Sequence, residues 1–573
     1  MGKLFGQDEP PGLPASLRTR NTQRRDAETD FSRKNKWQDD APNDEWSVRR
    51  PQPAAPGENE TSFTRAPSSA TPTETAVLRN TPALALANGG FSAPLNEAPA
   101  ETPAANAGLT WVRKRGHAIT TVLLFFFTLL VYTRPADWWL PDWPLFSVME
   151  SLTYYVGLAT LATFLPMQLI SDGTPTARPR ELYYVLILLL MGLLSIPLAD
   201  QDRFYAQETF RESFMRAVLI FIVLFNSVRT ERRWRFLLAV NWCVGVFLAY
   251  KAFETYISGE ALVEGYRVEG ILGGMFGNPN DLSQHLVTMT PLSIAFLLAA
   301  PRSLADLRQG HNPPTLGFIA PLILVVPRLA RRAFYVVCAL ILLLGTMVTF
   351  SRSGFLATFV SSLVLTYKLG RKHRKVLIPA VLVVAVGFLA AAPGEYRNRV
   401  LSILDSDLEA SGGKGSADAR KDLLGESAKV ALRHPVLGIG MGNFRLIYKY
   451  QTHNAYTQVA AEMGLFGLMA YLFFIIAPLK RLLEIERATY NTPDHRRFYY
   501  LAVGLQASLA AYLVGSFFGS IAYYYHIYYL VGFAVSFRLI YYNTRGISVN
   551  ALRLSEEDAE KPSQPSRPAL VSA

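Results

Sequence analysis

The sequence predicts an all-α, polytopic helical membrane protein with about twelve transmembrane helices and one large polar loop. Three observations predict it. Nearly all of the apolar content lies between about residues 117 and 541, in blocks of roughly 15–24 residues, close to the ~20 needed to cross a hydrocarbon core. Short stretches rich in Lys and Arg separate several of these blocks. Long polar segments flank the apolar region at both ends.

The predicted spans lie near 117–133, 148–170, 182–199, 213–228, 235–257, 282–300, 333–350, 354–368, 376–393, 455–478, 498–517 and 522–541. The run TLGFIAPLILVV at 315–326 is too short to span and contains Pro321, so an interfacial or partly buried segment is expected. Residues 1–116 carry PQPAAPGENE and SSATPTET and few large apolar side chains. Such a segment buries too little apolar surface to offset its ordering entropy, and a disordered cytoplasmic tail is expected. Residues 542–573, ending EEDAEKPSQPSRPALVSA, read as a second cytoplasmic tail. The first apolar block starts near residue 117, so no cleavable signal is expected. The domain reading is therefore a tail at 1–116, a transmembrane domain at 117–541 containing a large loop at 394–452, and a tail at 542–573. The long first tail reads as a tether that leaves room for a cytoplasmic partner.

Orientation follows from basic residues in short loops. WVRKRGH precedes the first span, RTERRWR lies between the fourth and fifth, PRLARR precedes the seventh, and KLGRKHRK joins the eighth to the ninth. With twelve spans these loops and both termini share one side, the expected cytoplasm. The net charge of +12 fits these loops better than a nucleic-acid partner, because Lys and Arg are spread between spans. Cys243 and Cys338 both fall in apolar blocks, which argues against a disulfide framework or a zinc site. The opposite face receives DWWLPDWP, whose tryptophans suit an interfacial belt, a tight SRSG turn, and the loop 394–452. Within that loop Leu424, Ala428 and Leu432 recur at helical spacing, which predicts a helix.

Three groups on the outer face point to chemistry. Arg267 lies in EGYRVEG, Arg352 in TFSRSG, and His453 opens the tenth span. Taken singly, each has an ordinary explanation as a solvated, snorkelled or interfacial side chain. Taken together, two arginines offer planar forks suited to phosphate oxygens, and a neutral imidazole can accept a proton. The G-x-G-x-G of VLGIGMGNF does not sit between a strand and a helix, so a dinucleotide or P-loop site is rejected. An outward cleft with guanidinium forks and a base suits a lipid-linked pyrophosphate, whose prenyl chain stays between helices. The sequence has no obvious Asp/Glu cluster for a divalent cation, so metal-free stabilisation of the leaving group is expected.

The segments GMFGNPNDLS, TFSRSGFLA, RHPVLGIGMGNF and HNAYTQVAAEMGLFG, in this order among these spans, resemble the O-antigen ligase and polymerase superfamily. The resemblance covers roughly residues 180–540, and its strongest match is His453, Asn454, Gly464 and Gly467. It implies a GT-C-type glycosyltransferase of the bacterial inner membrane. Such an enzyme moves a glycan from undecaprenyl pyrophosphate to an acceptor on the periplasmic face, without metal or other cofactor. It also implies a catalytic histidine at His453, pyrophosphate-binding arginines at Arg267 and Arg352, and a further arginine of the large loop at Arg420. Asn454 is expected to cap the tenth helix, and Asn278, Asn280, Gly438 and Gly440 to shape the site. Attack of the acceptor hydroxyl on the anomeric carbon would invert configuration. The acceptor is a lipid A–core, a growing polysaccharide or a protein hydroxyl, with membrane lipids around the site. The long tail departs from the compact family pattern. A transporter of bicarbonate, solute or lipid is the alternative for twelve spans. It is disfavoured by the lack of an internal repeat and of paired ionisable residues at mid-span.

Overall fold

The computed structural model describes residues 116–134, 146–259, 262–263, 265–268, 270, 276–300, 327–402, 416–492 and 495–545. The predicted N-terminal tail, the tryptophan-rich loop at 137–144, the apolar run at 315–326 and all but the start of the C-terminal tail lie outside these residues.

Each of the twelve predicted spans is helical over its described residues. In chain order these are α1 (Ala118–Thr133), α2 (Phe146–Asp172) and α3 (Arg180–Ser195). Next, α4 (Arg203–Thr209) passes through a π-helical turn (Phe210–Met215) into α5 (Arg216–Ser227), and α6 follows (Glu231–Ser258). After a two-stranded antiparallel ribbon, β1 (Leu262–Val263) and β2 (Arg267–Val268), come α7 (Pro279–Ala299), α8 (Arg328–Met347), α9 (Arg352–Leu369) and α10 (Arg374–Ala391). The large loop carries α11 (Gly394–Leu401), α12 (Ser416–Arg433) and the six-residue α13 (Asn443–Tyr448). The chain then forms α14 (Ala455–Thr489), α15 (Arg496–Gly515) and α16 (Tyr525–Thr544). The helix expected from the spacing of Leu424, Ala428 and Leu432 is α12.

Seven of these helices, α2, α6, α7, α8, α10, α14 and α15, are long and apolar enough to cross a membrane. Four of the other five predicted spans fall short for physical reasons. With 16 residues each, α1 and α3 reach only about 24 Å at 1.5 Å per residue. The fourth predicted span begins in a π turn and continues as the 12-residue α5, and α9 carries Arg352 and Lys368 near its two ends.

Burial follows from composition. Along α7 nearly every position is buried, including Leu282, Leu286, Met289 and Leu292, and the helix packs against α6, α8, α9 and α15. A helix enclosed on all sides is the centre of a bundle. By contrast, α10 buries none of its residues and leaves Leu382, Val383, Val384 and Val386 exposed, as a lipid-facing helix does. Polar pairs join the core helices: Trp242 Nε1 donates to Ser293 Oγ at 2.7 Å, and the Tyr471 and Tyr512 hydroxyls meet at 2.8 Å. Such hydrogen bonds serve where lipid removes the hydrophobic drive between helices.

The two ends of the bundle differ in chemistry. One end is ion-paired: Arg538 clamps Glu181 through two bonds of 2.8 and 2.9 Å, and Arg229 meets Asp172 at 2.7 Å. There also Lys368 and Arg371 grip Glu486 at 2.5 Å, and Arg497 meets Glu231 at 2.8 Å. This is the end where the basic loops fall. At the other end α7, α9, α14 and α16 begin and α8 and α15 finish, and there the sequence-predicted functional residues lie.

Candidate active site

The arginine cluster is assembled by three chain segments. The β-ribbon is anchored by Val268 N–H donating to Val348 O at 3.1 Å. This places Arg267, which is 4% exposed, so that Nε donates to Thr349 O at 3.2 Å and a terminal nitrogen donates to Asn280 Oδ1 at 3.3 Å. Asn280 Oδ1 also accepts from Ser351 Oγ at 2.9 Å. Asn278 caps α7 by accepting Asn280 N–H at 2.8 Å. Ser351 caps α9 by accepting Gly354 N–H at 3.3 Å, and Arg352 is the first residue of that helix. Only 6% exposed, Arg352 donates to Ser402 Oγ at 2.6 Å, and Ser402 sits at the end of α11. A single amide oxygen, that of Asn280, therefore ties Arg267 to the turn that carries Arg352. The start of α9 rests directly on α7, since a Cβ at Gly354 would stand 2.0 Å from Ser283 Oγ.

His453 is presented differently. Asn454 caps α14, its Oδ1 accepting Tyr456 N–H at 2.9 Å and Thr457 N–H at 3.0 Å. The residue before this cap must turn the chain, and His453 does so with a left-handed backbone, φ 51°. That conformation costs a residue with a Cβ about 1–2 kcal/mol. Thr452 stabilises the turn, its hydroxyl donating to Asn454 O and meeting Ser520 Oγ, both at 2.9 Å. Burial and then the Arg420 guanidinium of α12 push the His453 imidazole down to about 4, so it is neutral at physiological pH.

The two groups are brought to the same end through the chain between α15 and α16. Ser520 contacts Thr452, next to His453. Gly519 lies beside Asp281 of α7, within the turn that holds Asn280. Gly438 and Gly440 act one step further away. The loop 435–442 docks against a break inside α14: Leu465 N–H donates to Pro435 O at 2.7 Å, and Ile439 N–H and Gly440 N–H donate to Ala461 O and Glu462 O at 2.9 and 3.2 Å. The break is Gly464, with φ 77° and ψ 179°. These glycines set the direction of the helix that carries Asn454.

Residues 337–472 match the family model described as O-antigen ligase. This segment of the chain is similar to the O-antigen ligase family. No curated protein matches the chain.

The matched segment contains Arg352, Arg420, Gly438, Gly440, His453 and Asn454, whereas Arg267, Asn278 and Asn280 lie upstream of it and reach it only through the fold. Several residues of this region were missed from sequence. Asp281 and Glu462 are acidic residues inside helices, and Tyr523 donates to Glu462 at 2.7 Å. Arg399 donates to Tyr266 at 2.9 Å behind the Arg352–Ser402 pair. A charged residue inside an apolar block was the available signal for Glu462; nothing local marked Ser402 or Arg399.

The depressed imidazole fixes a pH dependence. If neutral His453 is required, the acid limb of kcat/KM, which reports the free enzyme, lies near 4 rather than near the ordinary 6.5. Arg420→Ala removes a cause of the depression, so the limb moves to higher pH. The stability sign agrees: the folded value lies below the unfolded one, so the contribution of the neutral imidazole is complete above 6.5 and is lost as pH falls toward 4. A pH series of initial rates on both proteins checks the shift.

Proposed function

We propose that the protein transfers a saccharide from a polyprenyl-pyrophosphate donor to an acceptor hydroxyl at the extracytoplasmic surface of the inner membrane. The coarser statement, a membrane-embedded protein carrying an O-antigen ligase domain, rests on the family match and on the seven long apolar helices. The observation that supports the finer reading is that two buried guanidinium groups, Arg267 bonded to Asn280 and Arg352 beside the Ser351 that bonds the same oxygen, lie at the same end of the bundle as a neutral histidine. The basic, ion-paired end opposite favours placing this site away from the cytoplasm.

In this reading Arg267 and Arg352 bind the pyrophosphate oxygens and stabilise the charge that grows on them as the glycosidic C–O bond breaks. The acceptor oxygen attacks the anomeric carbon from the opposite face, which inverts configuration. His453 takes the acceptor proton as the new C–O bond forms, and polyprenyl pyrophosphate leaves. Asn454 and Asn280 position the base and the arginines respectively. Metal independence belongs to the proposal, since two guanidiniums suffice to neutralise the leaving group.

The test is purified full-length protein in proteoliposomes, with lipid-linked glycan, an acceptor and a chelator. Donor consumption with release of free polyprenyl pyrophosphate is expected. Arg352→Lys keeps the charge but loses the planar fork, and a loss of about 10²-fold in rate is expected. Unchanged turnover in that variant, or passage of donor across the bilayer without glycosidic cleavage, rejects the assignment. In a deletion strain, single repeats on the acceptor indicate a polymerase, and long chains left on the lipid carrier indicate a ligase.

A further inference from the structure

Among the described residues the His453 ring has no hydrogen-bond partner. Its direction is therefore set by the chain that carries it. Thr452 grips that chain on both sides of the histidine: its hydroxyl donates to Asn454 O at 2.9 Å and accepts Asn454 N–H at 3.3 Å. Two segments hold Thr452 in place. One is the chain 438–452, which runs from the glycine loop through α13. The other is the chain 519–524, whose Ser520 hydroxyl meets Thr452 Oγ at 2.9 Å.

Both segments converge on Glu462 of α14, a carboxylate that the transfer reading does not use. It is buried, and its Oε2 accepts the Tyr523 hydroxyl at 2.7 Å, which ties down the chain 519–524. The N–H groups of Gly442 and Phe444 and the side chain of Gln458 face the same carboxylate. Its backbone oxygen accepts Gly440 N–H at 3.2 Å. The start of the chain 438–452 is thus held by the same residue. Tyr523 also packs edge-on against Phe214 of the π turn, with ring centres 5.8 Å apart. A carboxylate inside an apolar helix is costly to bury and persists where donors surround it. The Tyr523 hydroxyl and the two N–H groups are donors, so an acceptor with several lone pairs is what this position requires. Charged groups on the neighbouring elements face elsewhere: Arg420 of α12 faces His453, and Arg445 of α13 and Asp281 of α7 face Tyr524.

We propose that Glu462 is a positioning residue: through Tyr523 on one side and the Gly442 and Phe444 N–H groups on the other, it locks the two segments beside His453 and so aims the imidazole. The inference rests on the transfer reading for what the aimed imidazole does, but the coupling of Glu462 to His453 does not. Glu462 touches no reacting atom, and its loss misplaces the base rather than removing it. Releasing either segment also admits water to the ring. Burial is the main cause that holds the imidazole near 4, so its titration then rises toward the ordinary 6.5.

The test is a pH titration of the full chain in lipid nanodiscs, with its eight histidines labelled with nitrogen-15 and the His453 signal assigned by its absence in His453→Ala. Glu462→Gln and Tyr523→Phe are expected to titrate His453 at higher pH than wild type. In proteoliposomes both are expected to lose about 10–10²-fold in kcat with KM little changed, as a misplaced group does. Tyr471→Phe is the control, because it removes another buried hydrogen bond of α14, the one to Tyr512. It is expected to leave the His453 titration where it is in wild type. Thermal unfolding shows that each variant is folded, and Tyr523→Phe, the milder change, carries the test if Glu462→Gln does not fold. An unmoved His453 titration in folded Tyr523→Phe overturns the assignment whatever the rate. So does an equal movement in Tyr471→Phe, which would make the effect a general loosening. A titration that moves with Glu462 and Tyr523 in a protein that transfers nothing keeps the positioning role and rejects the transfer reading. Normal transfer with a titration independent of both residues does the reverse.

Discussion

His453→Gly is expected to lose glycan transfer by about 10²–10⁴-fold, the usual contribution of a positioned general base, while unfolding at nearly the wild-type temperature. The two halves have separate causes. The rate falls because no other imidazole stands before the Asn454 cap to take the acceptor proton. Stability holds because His453 has a left-handed backbone, φ 51°, which glycine adopts without the penalty of about 1–2 kcal/mol that a Cβ incurs. That relief offsets the roughly 0.5–1 kcal/mol of extra chain entropy that a glycine loses on folding, so the net change stays within about 1 kcal/mol. His453→Ala separates the effects: it loses the same activity but keeps the backbone penalty. Steady-state transfer by purified protein and thermal unfolding in the same detergent measure both. A left-handed backbone at a residue with a Cβ is the kind of strain that clusters at functional sites. Near-normal transfer by His453→Gly removes the histidine from the mechanism.

Much of the fold was legible in the sequence because membrane helices announce themselves through composition. Each of the twelve apolar stretches became a helix, and the spacing of Leu424, Ala428 and Leu432 gave α12. What composition could not give was the crossing length. The π turn at Phe210–Met215 (FRESFM) overlaps the start of the fourth predicted span and left no mark in its hydropathy, because such a turn is a matter of backbone hydrogen bonding. The site was legible in part. His453, Asn454 and Arg352 stood out as polar groups at the ends of apolar runs. That Asn280 joins Arg267 to the Ser351 turn depends on contacts across 13 and 71 residues of chain, which no local pattern carries. Gly438 and Gly440 were read as shaping the site; the structure docks their loop on α14.

The second large effect concerns that docking. Gly464→Ala is expected to destabilise the protein by more than about 4 kcal/mol, a loss seen only where a named structural device fails. Its backbone, φ 77° and ψ 179°, lies in a region that is essentially glycine-only. A Cβ there would stand 2.3 Å from Val436 O, a rigid backbone atom that cannot swing aside. Relief requires α14 to straighten or the loop 435–442 to lift. Either movement breaks the bonds from Leu465, Ile439 and Gly440 to Pro435, Ala461 and Glu462, each worth about 1 kcal/mol. It also strips cover from the buried cluster of Val430, Ile439, Phe444 and Ala461. Gly425 of α12 provides the contrast: a Cβ there meets nothing within 4 Å, so Gly425→Ala should gain roughly 0.5–1 kcal/mol from helix propensity. Thermal unfolding and membrane yield of the two variants compare a glycine that the fold requires with one that it merely tolerates. Wild-type stability in Gly464→Ala means that the break in α14 is not needed to seat the loop, and the orientation of the Asn454 cap must then be set elsewhere.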